Sequence, residues 1–188
     1  MVTPAETRED RMLEELMSTE RGRFLEIHRG LLREKPTDLS EGHTIGVERV
    51  VYQLVPQLDP ARFAVRSTSG RVRRGNETRY VPDVYVVPRA TPSSLRKASQ
   101  RFEIFDEPLA LVIEIWSPST GGYDVAEKLP EYMRRGDHEI WFVHPVELTL
   151  TVWRRRDDGT YAESVHGGGR LELSAVPRVV VDLDALFA

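Results

Sequence analysis

The sequence contains no cysteine among its 188 residues, which excludes disulfide bonds and metal sites built on thiolates. It also lacks any apolar run approaching the roughly 20 residues that a membrane-spanning helix needs. The first ten residues are polar and carry no apolar core of a signal peptide. We therefore expect a cytoplasmic protein with no membrane partner.

Several common catalytic patterns are missing as well. The five histidines are scattered, with no spacing typical of metal ligands. The chain has no glycine-rich phosphate loop and no nucleophile elbow. Glycoside hydrolysis by two carboxylates stays open on spacing alone, although aromatic residues make up only 8% of the chain. With 40% hydrophobic residues, the chain is long enough for one domain with a real core.

Acidic and basic residues are unevenly distributed. The formal net charge is −4, but residues 62–101 hold ten basic and two acidic residues. That segment therefore carries +8 and the rest of the chain −12. Such a stretch is typical of a surface that faces phosphates, or alternatively of a solvated arginine-rich hairpin. Because Asp83 lies within it, we predict that its central arginines contact phosphates: Arg71, Arg73 and Arg74.

Hydrophobic periodicity predicts two helices and a hairpin in the first third of the chain. Residues 6–18 have the pattern of a short helix, and residues 24–35 that of a hairpin turning at Gly30. Ser40 is a suitable N-cap for a helix that extends to about residue 58. Five apolar residues would form one stripe along this helix: Val47, Val50, Val51, Leu54 and Leu58.

The remaining two thirds are predicted to be rich in β-strands. Residues 109–116 are almost continuously apolar, which is typical of a strand buried on both faces. We expect an N-terminal helical segment over residues 1–19 and a single α+β domain over residues 20–188, with a mixed sheet flanked by helices. The other predicted elements are strands at 63–68, 81–87, 139–144, 148–154 and 161–165, a helix at 122–136, and a strand leading into a short helix at 179–187.

Three residues in this pattern point to chemistry. Asp83 and Glu114 fall in separate strand-like runs, and Lys128 follows in the predicted helix. Hard cations such as Mg²⁺ or Mn²⁺ prefer carboxylate oxygens, with water and phosphate completing their coordination. A lysine beside such a cation can hold a phosphate oxygen or the attacking water. The trio therefore indicates metal-assisted hydrolysis of a phosphodiester.

Each of the three residues also has a structural alternative. Asp83 could be a turn residue entering a strand. Lys128 could simply pair with Asp124, four residues earlier on the helix, although the same spacing would let Asp124 orient Lys128. Glu114 could belong to a structural ion pair. An ionised carboxylate inside an apolar strand costs several kcal/mol unless it is paired or bound to metal, which makes Glu114 the strongest candidate.

On these residues the sequence resembles the Uma-two family, a branch of the PD-(D/E)XK restriction-endonuclease-like superfamily. The resemblance spans roughly residues 20–187. Taken together the matching segments are specific, whereas any one alone would not be. They read VPDVYVV at 81–87, VIEIWSPST at 112–120, KLPEY at 128–132, EIWFVHP at 139–145 and VDLDALF at 181–187, with Asp124 between the second and the third.

The resemblance implies a central mixed sheet flanked by helices and a metal site at its acids. Asp83 and Glu114, with the backbone carbonyl of Ile115 or Trp116, would bind Mg²⁺ or Mn²⁺. The lysine usual two residues after the second acid is replaced by Trp116, and Lys128 is the expected substitute. The implied function is a metal-dependent endonuclease acting on DNA, compatible with a homodimer. The alternative is a weak or inactive nuclease-fold domain that binds DNA or a protein.

The resemblance also implies supporting residues. Asp124 would position Lys128, and Tyr132 would support the same face of the helix. His43 matches a family histidine ahead of the first long helix, and Glu48 lies one turn further along. Either could face the site, and a core-capping role is the alternative for His43.

Overall fold

The computed structural model describes residues 12, 15, 16, 19, 21–35, 40–68, 70–89 and 103–188. The helix predicted over residues 6–18 lies outside the described residues except at positions 12, 15 and 16. Within the described part of the chain, no helix is long and apolar enough to cross a membrane.

The described residues form strands in two sheets and a small ladder, with three main helices. The helices are α1 (Glu41–Leu54), α2 (residues 121–135) and α3 (Leu183–Phe187). The strands are β1 (Leu25–His28), β2 (Leu31–Glu34), β3 (Phe63–Ser67), β4 (Arg71–Arg74), β5 (Thr78–Tyr80), β6 (Val84–Pro88), β7 (Ile104–Phe105), β8 (Leu111–Ile115), β9 (Glu139–His144), β10 (Thr149–Arg155), β11 (Tyr161–His166), β12 (Arg170–Glu172) and β13 (Val180–Asp182).

The main sheet has six strands in the order β11-β10-β9-β8-β6-β3. Strands β8 and β9 are parallel and the other neighbours antiparallel, so the predicted mixed sheet is confirmed. Strand β8 is buried along its whole length, as its apolar run predicts. Strand β6 begins at Val84 rather than at residue 81. The residues before it leave the sheet because Pro82 has no N–H and the Val81 N–H donates to Glu26 Oε1 at 2.9 Å.

The second sheet, of order β2-β1-β5-β4-β7, was predicted only in its first hairpin. That hairpin turns at Gly30, which adopts φ +78°. Strands β4 and β5 have four and three residues and are rich in arginine, so they carry little hydrophobic periodicity. Their apolar side chains nevertheless join a core with the main sheet and α2: Val72 and Tyr80 pack in one cluster with Val112, Tyr132 and Ile140.

Helix α1 covers the other face of the main sheet. The Ser40 hydroxyl caps it by accepting from the His43 N–H at 3.3 Å, as predicted. The helix ends at Leu54 and continues as a 3₁₀ turn, Val55–Gln57, because Pro56 cannot donate to the α-helical ladder. Val50, Leu54 and Leu58 of the predicted stripe are buried in the core under β8 and β9.

Helix α2 is composite and lies against the opposite face. It consists of an α-helical turn Gly121–Tyr123, a π-helical stretch Asp124–Lys128 and an α-helix Leu129–Arg135. In the π-helical stretch the Leu129 N–H bonds the Asp124 carbonyl, one residue further back than in an α-helix. Gly136 ends the helix with φ +82°, a left-handed conformation that favours glycine. This arrangement places Lys128 and Tyr132 over the centre of β8.

Candidate active site

Asp83 lies at a bend immediately before β6, not within a strand as predicted. Its carboxylate is buried and fully engaged by the protein. Lys35 Nζ donates to Oδ1 at 2.7 Å, while His43 Nε2 and the Ile115 N–H contact Oδ2 at 3.0 and 2.9 Å. Burial opposes ionisation, but Lys35 and His43 outweigh it and hold the pKa of Asp83 well below its usual value. Asp83 is therefore a stable anion beside the end of β8.

Glu114 lies in the middle of the site on β8, with only 2% of its surface exposed. Its Oε1 accepts from the Tyr132 hydroxyl at 2.5 Å and from Lys128 Nζ at 3.2 Å. Its Oε2 is buried and has no hydrogen-bond partner among the described residues. Burial, and repulsion from Asp124 and Asp83, raise the pKa of Glu114 well above its usual value despite the opposing effect of Lys128.

Lys128 is a completely buried lysine that holds three carboxylates together. Its Nζ lies 3.0 Å from Asp124 Oδ1 and 3.2 Å from both Glu114 Oε1 and Glu26 Oε1. Burial lowers its pKa, but the acids, Glu114 first, raise it well above its usual value. Lys128 therefore stays charged. The structure thus brings together the predicted residues Lys128, Asp124 and Glu114.

Asp83, Glu114, Asp124 and Lys128 form one buried cluster with two residues that sequence reasoning missed. Glu26 is a buried acid in the middle of β1, and Lys35 follows directly after β2. Glu26 does interrupt an apolar run, which is the same signal that identified Glu114. Lys35 gave no such signal, because the two residues before it, Arg33 and Glu34, are also charged. It reaches Asp83 because the hairpin folds back over the bend, where Lys35 Nζ also donates to the Val81 carbonyl at 2.8 Å.

The charges of the cluster do not balance within the protein. Four carboxylates (Glu26, Asp83, Glu114 and Asp124) share two lysines (Lys35 and Lys128), and none of these side chains is more than 9% exposed. Two negative charges remain if all four acids are ionised and His43 is neutral. Within the described residues no group of three or more acidic or histidine side chains is arranged as a ready metal-ligand set. The spare charge must be relieved by a proton or by a cation.

A cleft opens from the surface to this cluster. Its volume is about 250 Å³, and Glu114 and Asp124 lie among the residues that line it. The cleft runs over the part of the main sheet that α2 leaves uncovered, on β9, β10 and β11. Its aromatic walls come from Trp116, Phe142 and Trp153. Small molecules and ions therefore have a route to the otherwise buried carboxylates.

The fold and sequence both match known proteins. A family profile described as "Uma2: Putative restriction endonuclease" matches residues 11–184. The chain belongs to the Uma2 family. A similar solved structure is that of a putative nuclease belonging to DUF820 from Anabaena variabilis ATCC 29413, with a TM-score of 0.70 and 19% identity over 93% of this chain and 96% of that chain. This likeness shows a restriction-endonuclease-like fold, which confirms the predicted class. No curated protein matches.

Uma2 membership and the nuclease-like fold together support a nuclease. Trp116 stands two residues after Glu114, at the position where the resemblance led us to expect a lysine. Its ring stacks on His144, with centroids 4.4 Å apart and planes at 23°, and it lies against Gly121. A Cβ atom on Gly121 would lie 1.9 Å from the Trp116 ring, so only glycine fits there. In this Uma2 protein the ammonium beside Glu114 comes from α2 instead of from β8.

Of the other predicted residues, three lie in the cluster or on its edge and one does not. His43 contacts Asp83, Tyr132 contacts Glu114, and Ile115 donates its N–H to Asp83. Glu48 is instead exposed on the outer side of α1. A shift of five residues along an α-helix turns a side chain well away from that of His43, which explains the failure of this expectation.

The arginines predicted to contact phosphates are used by the fold. Arg71 is buried, and its Nη2 donates to the Gly22 carbonyl at 2.6 Å, so it cannot reach DNA. Arg73 pairs with Asp106 at 2.5 and 2.7 Å, and Arg74 Nε donates to Glu131 Oε2 at 2.6 Å. The prediction for Arg71 is therefore wrong. Arg73 and Arg74 are already neutralised by acids from other segments.

Proposed function

We propose that this Uma2 protein is a metal-dependent endonuclease that hydrolyses DNA. The observation that supports this proposal is the unpartnered, buried Oε2 of Glu114, in a cluster with more acids than lysines. A buried oxygen without a donor is costly in a structural role, whereas it suits a cation ligand. The cleft that ends at Glu114 and Asp124 supplies the route of entry.

The residues present fit Mg²⁺ or Mn²⁺. Both cations take oxygen ligands, and Mg²⁺ is usually bound through one or two carboxylates, with water and phosphate completing the set. Glu114, Asp83 and the backbone carbonyl of Ile115 or Trp116 would hold it. When bound, such a cation lowers the pKa of a coordinated water and neutralises charge on the scissile phosphate. The positions of the Glu114 and Asp83 carboxylates would determine where the positive charge of the cation lies.

Lys128 is the second source of positive charge in the proposed site. Its ammonium contacts the same Glu114 oxygen that Tyr132 binds, so it lies beside the proposed cation ligand. Asp124 and Glu26 fix its position from two other sides. We assign to Lys128 the role of holding the attacking water or a phosphate oxygen. Tyr132 orients Glu114 by donating to Oε1 and leaves Oε2 for the cation.

His43 and Lys35 hold Asp83 in place. His43 Nε2 and the Ile115 N–H bind Oδ2, which fixes the carboxylate against the end of β8. Lys35 contacts the other oxygen. We propose that Lys35 gives way when a cation binds, because its ammonium contacts the Asp83 oxygen that the hydrogen bonds from His43 and Ile115 leave free.

Cleavage of supercoiled plasmid in Mg²⁺ or Mn²⁺ tests the proposal. The wild-type protein should nick the plasmid, and EDTA should stop it. Asp83→Asn and Glu114→Gln should each abolish both cleavage and Mn²⁺ binding measured by calorimetry. Asp157→Asn, which changes an exposed aspartate on the β10–β11 turn, is the matched control and should behave as wild type. Cleavage that survives in either acid variant would contradict the assignment.

A second function is favoured by one observation. Because Asp83 is already paired with Lys35 at 2.7 Å, a domain that binds DNA or a protein without cutting has its own internal counter-ion. The two functions differ in calorimetry. A nuclease should bind Mn²⁺ in a manner that depends on Glu114, whereas a pure binding domain has no reason to hold a metal there.

A further inference from the structure

We infer that the cleft beside Glu114 binds a short linear diamine in its doubly charged form, and that this ligand competes with the proposed metal ion for Glu114. The competition rests on the proposed function, because it concerns the cation that the same carboxylate would hold. The binding does not, since it follows from the lining of the cleft, the unpartnered oxygen of Glu114 and the spacing of the acids.

The lining of the cleft selects a cation. Within the described residues no lysine or arginine lines the cleft, whereas four acids do: Glu114, Asp124, Glu147 and Glu163. Lys128 contacts the first two of these acids. Glu163 is exposed, and its Oε2 accepts from Trp153 Nε1 at 2.9 Å, a neutral donor that does not balance its charge. The part of the cleft near Glu163 therefore carries negative charge with no cation beside it in the lining.

Glu114 provides an acceptor for an ammonium group at the other side of the cleft. Its Oε1 is used by Tyr132 and Lys128, while Oε2 is buried and has no hydrogen-bond partner among the described residues. An ammonium group has three N–H donors, and its hydrogen bond to a carboxylate is stronger than one between neutral groups. One end of a diamine would therefore satisfy an oxygen that the protein leaves unpaired.

The acids of the cleft are too widely spaced to share one ion. Glu114 on β8 lies beside Phe142 on β9, Phe142 beside Thr151 on β10, and Glu163 is on β11, one strand further. Neighbouring strands are about 4.8 Å apart, so about 14 Å separates β8 from β11. Within the described residues no three acids or histidines are grouped to hold a metal ion. Glutamate side chains line the cleft from both strands, so a ligand with a charge at each end can contact both.

The walls between the two ends suit an alkyl chain. Val125, Phe142 and Val143 contribute apolar surface there. The methylene chain of a diamine can pack on such surface in the same way as the stem of a lysine side chain. The volume of about 250 Å³ lies below the roughly 300–1,000 Å³ of pockets for drug-sized ligands, which limits the occupant to a small molecule. A short aliphatic diamine combines the size, the apolar middle and the two charges that the cleft requires.

Calorimetric titration of the full chain with cadaverine and with pentylamine, in EDTA, tests the inference. The two amines have the same carbon chain, but pentylamine has only one ammonium group, so the wild-type protein should bind cadaverine at least about tenfold more tightly. Glu163→Gln removes one charge and keeps an amide oxygen that can accept from Trp153 Nε1. It should weaken cadaverine binding about tenfold and leave pentylamine binding unchanged. Glu48→Gln, which changes an exposed acid on α1 away from the cleft, is the matched control and should change neither.

A second variant covers the case in which Glu163→Gln does not fold. Thr151→Met fills the cleft from β10 without changing a charge, and it should weaken cadaverine binding to a similar degree. Equal affinity for the two amines would overturn the inference, because it would show that only one end of the ligand is bound. An equal effect of Glu163→Gln and Glu48→Gln would also overturn it, because it would show unspecific attraction of amines to an acidic protein.

The competition is tested separately, so that its outcome is distinct from that of the proposed function. With cadaverine at ten times its own Kd, the apparent Kd for Mn²⁺ should rise about tenfold. A protein that binds cadaverine through Glu163 but never cuts DNA in any divalent metal would refute the nuclease and leave the cleft assignment standing. A protein that cuts plasmid while cadaverine leaves its Mn²⁺ affinity unchanged would refute the competition and leave the nuclease standing.

Discussion

Glu114 and Glu139 are buried carboxylates on the adjacent parallel strands β8 and β9, and their surroundings differ in kind. Glu139 Oε1 accepts from Trp141 Nε1 at 2.9 Å and Arg154 Nε at 3.1 Å. Its Oε2 accepts three donors from the loop that carries Ser174 and Ala175. Glu114 has two donors on one oxygen and, within the part of the chain that the structure describes, none on the other.

Both acids are buried, so burial does not distinguish them, whereas the number of hydrogen-bonded oxygens does. Glu139 ties β9 to β10 and to the segment before β13, and each of its oxygens is satisfied. Such a group has no capacity left for a ligand. Glu114 is held by the protein on one side only and keeps an oxygen unpaired at a cost in stability. A residue retained under that cost is a candidate for chemistry.

The largest expected effect is on the stability of the metal-free protein. Glu139→Gln should lower the free energy of unfolding by about 3 kcal/mol, because the amide nitrogen faces donors and Arg154 loses its charged partner. Glu114→Gln should change it by no more than about 1 kcal/mol, since the wild-type side chain is already favoured in its neutral form. Urea denaturation of both variants in EDTA measures the difference. Equal losses would remove the distinction between the two acids.

Removing Lys128, the counter-ion of Glu114, should slow DNA cleavage far more than removing Arg154, the counter-ion of Glu139. Lys128→Ala should lower the single-turnover rate of DNA cleavage about 100-fold at saturating Mn²⁺, comparable to removal of one electrostatic stabiliser. Lys128→Arg should not restore the rate, because a planar guanidinium does not replace a compact ammonium. Arg154→Ala, which removes the counter-ion of Glu139, should cut at nearly the wild-type rate. Because Lys128→Ala leaves buried carboxylates without their counter-ion, we expect it to be less stable, and circular dichroism at the assay temperature must first confirm a folded protein.

The pH dependence of stability should reveal the raised pKa of Glu114. A carboxyl whose pKa is higher in the folded than in the unfolded state stabilises the fold at low pH. That contribution is complete below the ordinary pKa of about 4.5 and is lost as pH rises through the folded value. In EDTA, wild type should therefore lose stability relative to Glu114→Gln with rising pH, by at most about 1.4 kcal/mol per pH unit. Asp83, whose pKa is lowered, should show the opposite sign against Asp83→Asn.

Replacing Lys35 should strengthen metal binding. Lys35→Met keeps an unbranched side chain as far as Cε but removes the ammonium that contacts Asp83 Oδ1 at 2.7 Å. We expect Mn²⁺ affinity to rise about tenfold, or 1.4 kcal/mol, by calorimetry. Arg33→Met removes a positive charge from β2, two residues earlier, without a contact to Asp83 and serves as the control. An unchanged affinity would mean that Lys35 and the cation do not share the carboxylate.

A charge inside an apolar run is visible without a structure, and Glu114 was found in this way, although Glu26 was not. Asp83 and Lys128 were singled out with Glu114 from the sequence pattern, Asp124 from its spacing to Lys128, and Tyr132 from the family resemblance. Lys35 could not be found, since its role depends on how a hairpin folds back over a bend more than 40 residues away in sequence. Long-range contacts of this kind leave no local periodicity.

The same limit explains the errors. Arg71, Arg73 and Arg74 were predicted to contact phosphates because they lie in the basic segment that holds Asp83. The structure contradicts this for Arg71, because the charge of a segment does not reveal whether a side chain is buried against another part of the chain. The second sheet was not predicted beyond its first hairpin, because two of its other strands, β4 and β5, are only four and three residues long and rich in arginine. The main sheet, α1 and α2 were predicted because their apolar patterns are long. Their ends shifted by a few residues where Pro56 and Pro82 withdrew an N–H.

The π-helical stretch of α2 adds one residue to the helix, and this residue affects where the side chains of Asp124 and Lys128 lie. Both ends of α2 are anchored, at Gly121 against Trp116 and at Gly136 by its left-handed turn. A π-helical turn contains one residue more than an α-helical turn over nearly the same length. Deleting one residue from Asp124–Lys128 would let the helix close into regular α-form between the same anchors. The deletion would leave the fold continuous but set Asp124 and Lys128 three residues apart instead of four, which would change the geometry of their 3.0 Å contact. The extra residue of the π-helical stretch therefore helps α2 to place Lys128 beside Glu114, where β8 provides no lysine.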